Sequence, residues 1–191
     1  MLDAIHRFLF PGLWWAWLIY WAVAARGVKA AQRKEGALSR LAHFGPLILA
    51  GWMLGADRLP GDVLGTRLWP RTEATFWIGA VLLAGGLGFC VWARRVIGRN
   101  WSGTVTVKEG HELVRTGPYA LVRHPIYTGL LLAFAGTALV VAEARGVVAV
   151  LVVLLALWRK LRLEERWMGE TFGEAYAAYR RETPALVPFL A

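Results

Sequence analysis

Cysteine is nearly absent. The 191 residues contain one, Cys90, which excludes a disulfide framework and a cysteine-based zinc site. Histidine is sparse too: His6, His43, His111 and His124 are scattered, with no H-x-x-x-H or H-E-x-x-H pairing, so no metal is expected. Charge is short, at 18% of residues, against about a quarter in an average soluble domain. Acidic residues are the scarcer sign, 13 against 22 Lys and Arg, for a net charge of +9. No internal repeat, low-complexity tract or second domain is visible, so the chain reads as one domain over residues 1–191.

What fills the chain instead is apolar: 57% of residues, eleven of them Trp. They gather into five runs, 8–25, 41–56, 74–93, 126–142 and 146–158. The class is therefore an all-α integral membrane protein of about five transmembrane helices. Only the first and third runs approach the about 20 residues of a full span. The last two also read as one buried helical hairpin joined at Glu143-Ala144-Arg145-Gly146. A signal peptide is the rival reading of the first run, since Ala22-Val23-Ala24 resembles a cleavage site. Its four tryptophans and near-neutral flank speak against that. Gly51-x-x-x-Gly55 and Ala80-x-x-x-Ala84 put small residues on one helix face, which favours close packing. Gly85-Gly86-Leu87-Gly88 has no strand before it and reads as another packing face.

Loop charge orients the chain. The segments 26–40, 94–123 and 159–191 carry seventeen basic and eight acidic residues, while the alternating segments sum to zero. By the positive-inside rule the N-terminus lies outside and the C-terminus in the cytoplasm. Topology together with attraction to anionic lipid head groups accounts for most of the basic charge. Nucleic-acid binding is not expected, because the basic residues flank spans and form no separate face.

Two polar clusters then fall on the cytoplasmic side. Residues 116–129, Thr-Gly-Pro-Tyr-Ala-Leu-Val-Arg-His-Pro-Ile-Tyr-Thr-Gly, precede the fourth run, with Pro125 suited to the first helical turn. Arg159-Lys160-Leu161-Arg162-Leu163-Glu164-Glu165-Arg166 follows the fifth. Between the third and fourth runs, 98–107 reads as a non-helical excursion and Glu112-Leu113-Val114 as a short extended piece. Lys108-Glu109-Gly110-His111 reads as a turn. Phe172-Gly173-Glu174-Ala175-Tyr176-x-x-Tyr179 suggests a short amphipathic helix ended by Thr183-Pro184. The two clusters pool acceptors for an amine and ribose (Glu164, Glu165), donors for a carboxylate (Arg123, His124) and rings for a purine. That inventory suits an amino-acid nucleoside. Singly, each residue also fits an ordinary role at a membrane boundary.

The run His111-Glu-Leu-Val-Arg-Thr-Gly-Pro-Tyr119, then Arg123-His-Pro-Ile-Tyr127-Thr-Gly, Glu164-Glu165 and Phe172-Gly173-Glu174-x-Tyr176-x-x-Tyr179 with Pro184, resembles the isoprenylcysteine carboxyl methyltransferase family. The wider group includes membrane phospholipid N-methyltransferases. The resemblance covers roughly residues 98–190. It implies an S-adenosylmethionine-dependent methyltransferase, with 1–93 as three N-terminal spans and 94–191 as the catalytic region. Its cytoplasm-facing cofactor pocket is implied to involve His111, Glu112, Leu113, Val114, Tyr119, His124, Pro125, Ile126, Tyr127 and Glu164. A basic residue before the acidic pair is implied to contact substrate, and both Lys160 and Arg162 fit. Thr106 is the nearest match to a further polar cofactor contact.

Methyl transfer from a sulfonium is an in-line displacement in which the protein mainly aligns the reactants. A carboxylate acceptor needs a cation, Arg162 or Arg123, to orient it. An amine acceptor needs Glu165 or His124 as base or relay. Arg123 and Glu165 are thus the catalytic candidates. The expected partner is a lipophilic acceptor entering sideways from the bilayer, alongside membrane lipids. The leading acceptor is a prenylcysteine carboxylate, and the nearest alternative is phosphatidylethanolamine. A sterol-type NADPH reductase and a non-enzymatic lipid-binding protein complete the alternatives.

Overall fold

The computed structural model describes residues 2–29, 31–56, 63–108, 110 and 112–188. Five long helices occupy the five apolar runs: α1 (Leu2–Ala24), α2 (Ala37–Gly55), α3 (Glu73–Ile97), α5 (Pro125–Val141) and α6 (Ala144–Phe172). Two short ones, α4 (Pro118–Leu121) and α7 (Glu174–Glu182), lie beside the ends of α5 and α6. The ends follow local chemistry. Thr72 and Thr75 form a reciprocal capping box at the start of α3. Pro125 takes the first position of α5, where its missing N–H is harmless. Gly173 turns the chain between α6 and α7 at φ 53.

The expectation of an all-α chain needs one correction. Strands β1 (Ala31–Lys34) and β2 (Thr106–Lys108) pair antiparallel, with Lys34 opposite Thr106. The excursion over 98–107 also opens with a 3-10 turn, Gly98–Asn100. Residues 112–114 are irregular, with no strand partner.

Among the described residues two helices are long and apolar enough to cross a membrane, Ala37–Gly55 and Glu73–Asn100, and Pro125–Val141 is a shorter apolar one. The outer faces are apolar as well. Ile19, Ile48, Val81 and Leu155 are 62% to 73% exposed, a surface suited to lipid rather than water.

Helix α5 is the hub. Its Phe134 and Tyr127 join Met53, Val153, Leu157 and Leu161 in one core, and its Ala133 joins Phe10, Phe76, Leu83 and Leu87 in another. The closest approach is between α3 and α5. A Cβ on Gly129 would stand 2.5 Å from the Gly86 carbonyl oxygen, and one on Gly136 2.5 Å from that of Gly79. Two glycine pairs, each spaced seven residues along its helix, thus let the backbones touch. Gly86 is a packing residue as expected, but Gly51 and Gly55 have no neighbour within 4 Å of where a Cβ would stand, and Ala84 is exposed. At the opposite end of the bundle from the β pair, the buried Arg145 donates to the Met53 carbonyl at 3.1 Å, to that of Ala56, and to Glu143 at 2.7 Å.

Candidate active site

Helix α1 packs on α3 and α2 packs on α6. Between them runs a cavity of about 1020 Å³ that extends along α5 from His124 to Val141. Its long apolar part is lined by Phe10, Trp14, Trp17, Leu47, Leu54 and Phe134. Its polar end is roofed by residues 101–104 and Thr106 and closed by Glu112, Leu113, Val114, Tyr119, His124, Tyr127, Lys160 and Glu164.

The polar end is assembled by backbone as much as by side chain. Arg123 N donates to the Pro184 carbonyl at 2.9 Å and His124 N to that of Ala185 at 3.0 Å. Thr128 Oγ1 donates to Leu186 O at 2.6 Å, and Tyr179 Oη to Tyr119 O at 2.5 Å. The C-terminal segment thereby fixes the start of α5. On α6, Lys160, Glu164 and Met168 recur every four residues and face the cavity together.

His124 lies between the two glutamates. Its Nδ1 is 3.5 Å from Glu164 Oε2 and its Nε2 3.4 Å from Glu165 Oε1. The Tyr127 ring stacks on the imidazole, centroids 5.3 Å apart and 7° from parallel. Burial works to lower the His124 pKa, but hydrogen bonds and attraction from both carboxylates overcome it and the net shift is upward. Glu165 is held mainly through one oxygen. Its Oε1 accepts from Arg123 Nε at 2.8 Å and Nη2 at 2.5 Å, and its Oε2 is 3.6 Å from Arg180 Nε. Burial would raise its pKa, yet His124 and Arg123 hold it down to about 2. Glu164 is also pushed up by burial and brought below its ordinary value by His124, Lys160 and Tyr127. Its ion-pair contacts are longer, 3.5 Å to His124 and 3.9 Å to Lys160. Lys160 is 8% exposed, donates to Gly103 O at 2.8 Å and sits 5.3 Å from the Tyr127 ring centroid.

Of the residues singled out from the sequence, Glu112, Leu113, Val114, Tyr119, Arg123, His124, Pro125, Ile126, Tyr127, Lys160, Glu164 and Thr106 line one cavity. His111 lies outside the described residues. Glu165 does not line the cavity and stands behind Arg123 and His124. Arg162 is exposed and off the cavity; two positions beyond Lys160, it points to the other side of the helix. Sequence reading missed Asn100 and Phe44, which also line the cavity, and the buried Glu35 and His43. Glu35 Oε1 accepts from Val105 N at 3.0 Å and lies 3.1 Å from His43 Nε2, tying the β pair to α2. Among the described residues no group of three His, Cys, Asp or Glu is placed to hold a metal ion.

A family model for phospholipid methyltransferases matches residues 74–175, more than half of the chain. The chain belongs to the phospholipid methyltransferase family. The match spans α3 to the start of α7 and so takes in every charged residue of the cavity. Among curated relatives, a cobalt-zinc-cadmium resistance protein of Cupriavidus metallidurans is 35% identical over 67% of this chain and 57% of its own length. Protein-S-isoprenylcysteine O-methyltransferase B of Arabidopsis thaliana is 31% identical over 49% of each chain. The Schizosaccharomyces pombe protein-S-isoprenylcysteine O-methyltransferase is 32% identical over 49% of this chain and 41% of its own. The chain spans about half the length of the curated relatives it matches. The fold is similar to that of a eukaryotic intramembrane Ras methyltransferase, with a TM-score of 0.58 at 19% identity over 80% of this chain and 52% of that one. The resemblance to isoprenylcysteine carboxyl methyltransferases read from the motifs thus agrees with the family match and the relatives.

Proposed function

We propose that the chain is an integral membrane methyltransferase that uses S-adenosylmethionine to methylate the carboxylate of an isoprenylcysteine-like lipid. Five spans, with the N-terminus outside and the polar end of the cavity facing the cytoplasm, follow from the loop charges. The observation that carries the carboxylate reading is the state of the groups that could act as a base. Glu165 stands off the cavity with Oε1 bound by Arg123, His124 is held toward its imidazolium by two carboxylates, and Glu164 is taken up by the donor's ammonium or ribose in this reading. An amine acceptor must lose a proton, whereas a carboxylate is already ionised at neutral pH and needs only a cation. Lys160, buried at the cavity, is that cation.

The residues fit the methyl donor. Glu164 faces the cavity with ion-pair contacts of 3.5 Å and longer, leaving lone pairs for an ammonium or ribose hydroxyl. His124 as imidazolium would take the carboxylate, and Tyr119 and Tyr127, which line the cavity, would offer rings to the purine. When bound, S-adenosylmethionine supplies a methyl group already activated on a sulfonium. The protein then has three tasks: Lys160 orients the acceptor oxygen, the 101–106 roof keeps water out, and the α5 backbone pinned by residues 184–186 holds the geometry. Arg123 and Glu165 act through His124, as positioning residues. The apolar length of the cavity, lined by α1 and α2, would take the lipid tail from the bilayer.

Mass spectrometry of products from purified protein, isotope-labelled S-adenosylmethionine and either a prenylcysteine or phosphatidylethanolamine tests this. Label on the prenylcysteine carboxyl group is expected. Label on the phospholipid amine alone would replace the acceptor, and label on neither would reject both acceptors.

A further inference from the structure

Glu35 stands just past the end of β1, opposite Val105 in the register that pairs Lys34 with Thr106. In a hydrogen-bonded antiparallel pair each residue gives its N–H to the other's carbonyl. Here the backbone makes only half of that exchange. Glu35 N donates to Val105 O at 3.1 Å, but Val105 N donates to the Glu35 side chain, to Oε1, at 3.0 Å. A carboxylate thus takes the place of a carbonyl, and it does so out of water. The Glu35 and His43 side chains are each 1% exposed, and His43 Nε2 lies 3.1 Å from the same Oε1. Glu35 Oε2 and both ring nitrogens of His43 have no hydrogen-bond partner among the described residues, so the two residues meet without an aligned hydrogen bond. A buried titratable pair left partly unsatisfied is a poor source of stability. Packing alone does not account for it.

What the pair holds lies over the cavity. Thr104 and Thr106 line the cavity, whereas Val105 between them is buried and does not, and neither Glu35 nor His43 lines it. Glu35 therefore holds the roof by both the N–H and the C=O of one residue. Two residues earlier, Gly103 O accepts from Lys160 Nζ at 2.8 Å, the hydrogen bond that Lys160 makes among the described residues. Helix α2 reaches the same point. The Phe44 ring, next to His43 in sequence, is centred 6.0 Å from Lys160 Nζ, and its Cζ is 3.9 Å from where a Cβ on Gly103 would stand. A lysine ammonium is a point charge on a flexible stem, so its position follows the acceptor that holds it. Glu35 and His43 precede residue 74 and lie outside the stretch that the family match covers.

We propose that Glu35 and His43 are positioning residues for Lys160. They fix the roof at Val105, and with it the Gly103 carbonyl that sets where the ammonium meets the acceptor. This rests on the function proposed above, which gives Lys160 the acceptor oxygen.

A double-mutant cycle tests it, with N-acetyl-S-farnesylcysteine as acceptor. Glu35→Ala raises the acceptor KM roughly fivefold or more in the wild-type background and less than about twofold in Lys160→Ala, because the group it positions is then gone. S-adenosylhomocysteine affinity, read by calorimetry, changes less than about twofold in Glu35→Ala. Glu35→Gln keeps an oxygen for Val105 N and holds KM near the wild-type value. His43→Ala shows the same dependence on Lys160, and decides the matter if Glu35→Ala fails to fold. Equal KM factors in the two backgrounds overturn the proposal, since a merely structural defect does not depend on Lys160. An unchanged KM, or a parallel loss of S-adenosylhomocysteine affinity, overturns it too. If wild-type protein methylates the acceptor and Lys160→Ala leaves KM unchanged, the positioning role falls and the methyltransferase reading stands. Protein that does not methylate the acceptor overturns both.

Discussion

Arg123 and Glu165 share a single oxygen: Glu165 Oε1 accepts from Arg123 Nε at 2.8 Å and from Nη2 at 2.5 Å. The same oxygen lies 3.4 Å from His124 Nε2. One carboxylate thus anchors the cation before α5 and, together with Glu164, raises the pKa of the imidazole that faces the cavity. Arg123 Nη1 also donates to the Thr183 carbonyl, so the guanidinium joins α6 to the C-terminal segment.

That fork is specific to arginine. Arg123→Lys, with one nitrogen in place of three, is expected to lower stability by about 1–3 kcal/mol. Thermal unfolding in detergent checks it, and a variant as stable as wild type would contradict the anchoring role.

Glu165→Gln tests the coupling to His124. The folded pKa of His124 is raised, so stability and anion binding that depend on the imidazolium are fully present below the ordinary histidine value. They are lost as pH rises through the raised one. Removing the Glu165 charge lowers that pKa. The pH at which S-adenosylhomocysteine affinity falls should therefore move down, as read by calorimetry across pH. Glu165 itself has the opposite sign: its contribution is present above the ordinary carboxylate range and is lost as pH falls toward about 2.

Lys160 and Arg162 separate on the helix. Lys160→Ala should raise the acceptor KM about tenfold or more, through loss of a buried cation. Arg162→Ala, at an exposed site, should change it less than about twofold. Steady-state kinetics distinguish them, and the reverse order would move the acceptor site off the cavity.

Glycine packing yields a contrast as well. Gly129→Ala forces a methyl group against the Gly86 carbonyl and should destabilise by about 1–3 kcal/mol or more. Gly51→Ala, with nothing within 4 Å, should be neutral or slightly stabilising. Paired thermal melts provide the comparison.

Much of this was legible in the sequence. The five helices follow from the apolar runs, and Pro125 marked the start of α5 because its ring fits only the first turn. The union of His124 with Glu164 followed from two polar clusters bracketing a helical pair. Helical period also separates Lys160 from Arg162, since only Lys160 is four residues from Glu164. Other features depend on distant partners. Ala31-Gln32-Arg33-Lys34 has no strand alternation and pairs because β2 meets it from over seventy residues away. The glycine contacts of α3 and α5 match only once both helices are placed, and so does the pairing of Glu165 with Arg123.

Calorimetric titration of S-adenosylhomocysteine, with NADPH as the competing ligand, tests the central claim most directly. The account predicts saturable binding of S-adenosylhomocysteine to the wild-type chain, weakened about tenfold or more in Glu164→Gln, and no displacement by NADPH. Binding of NADPH in preference, or S-adenosylhomocysteine affinity untouched by Glu164→Gln, would contradict it.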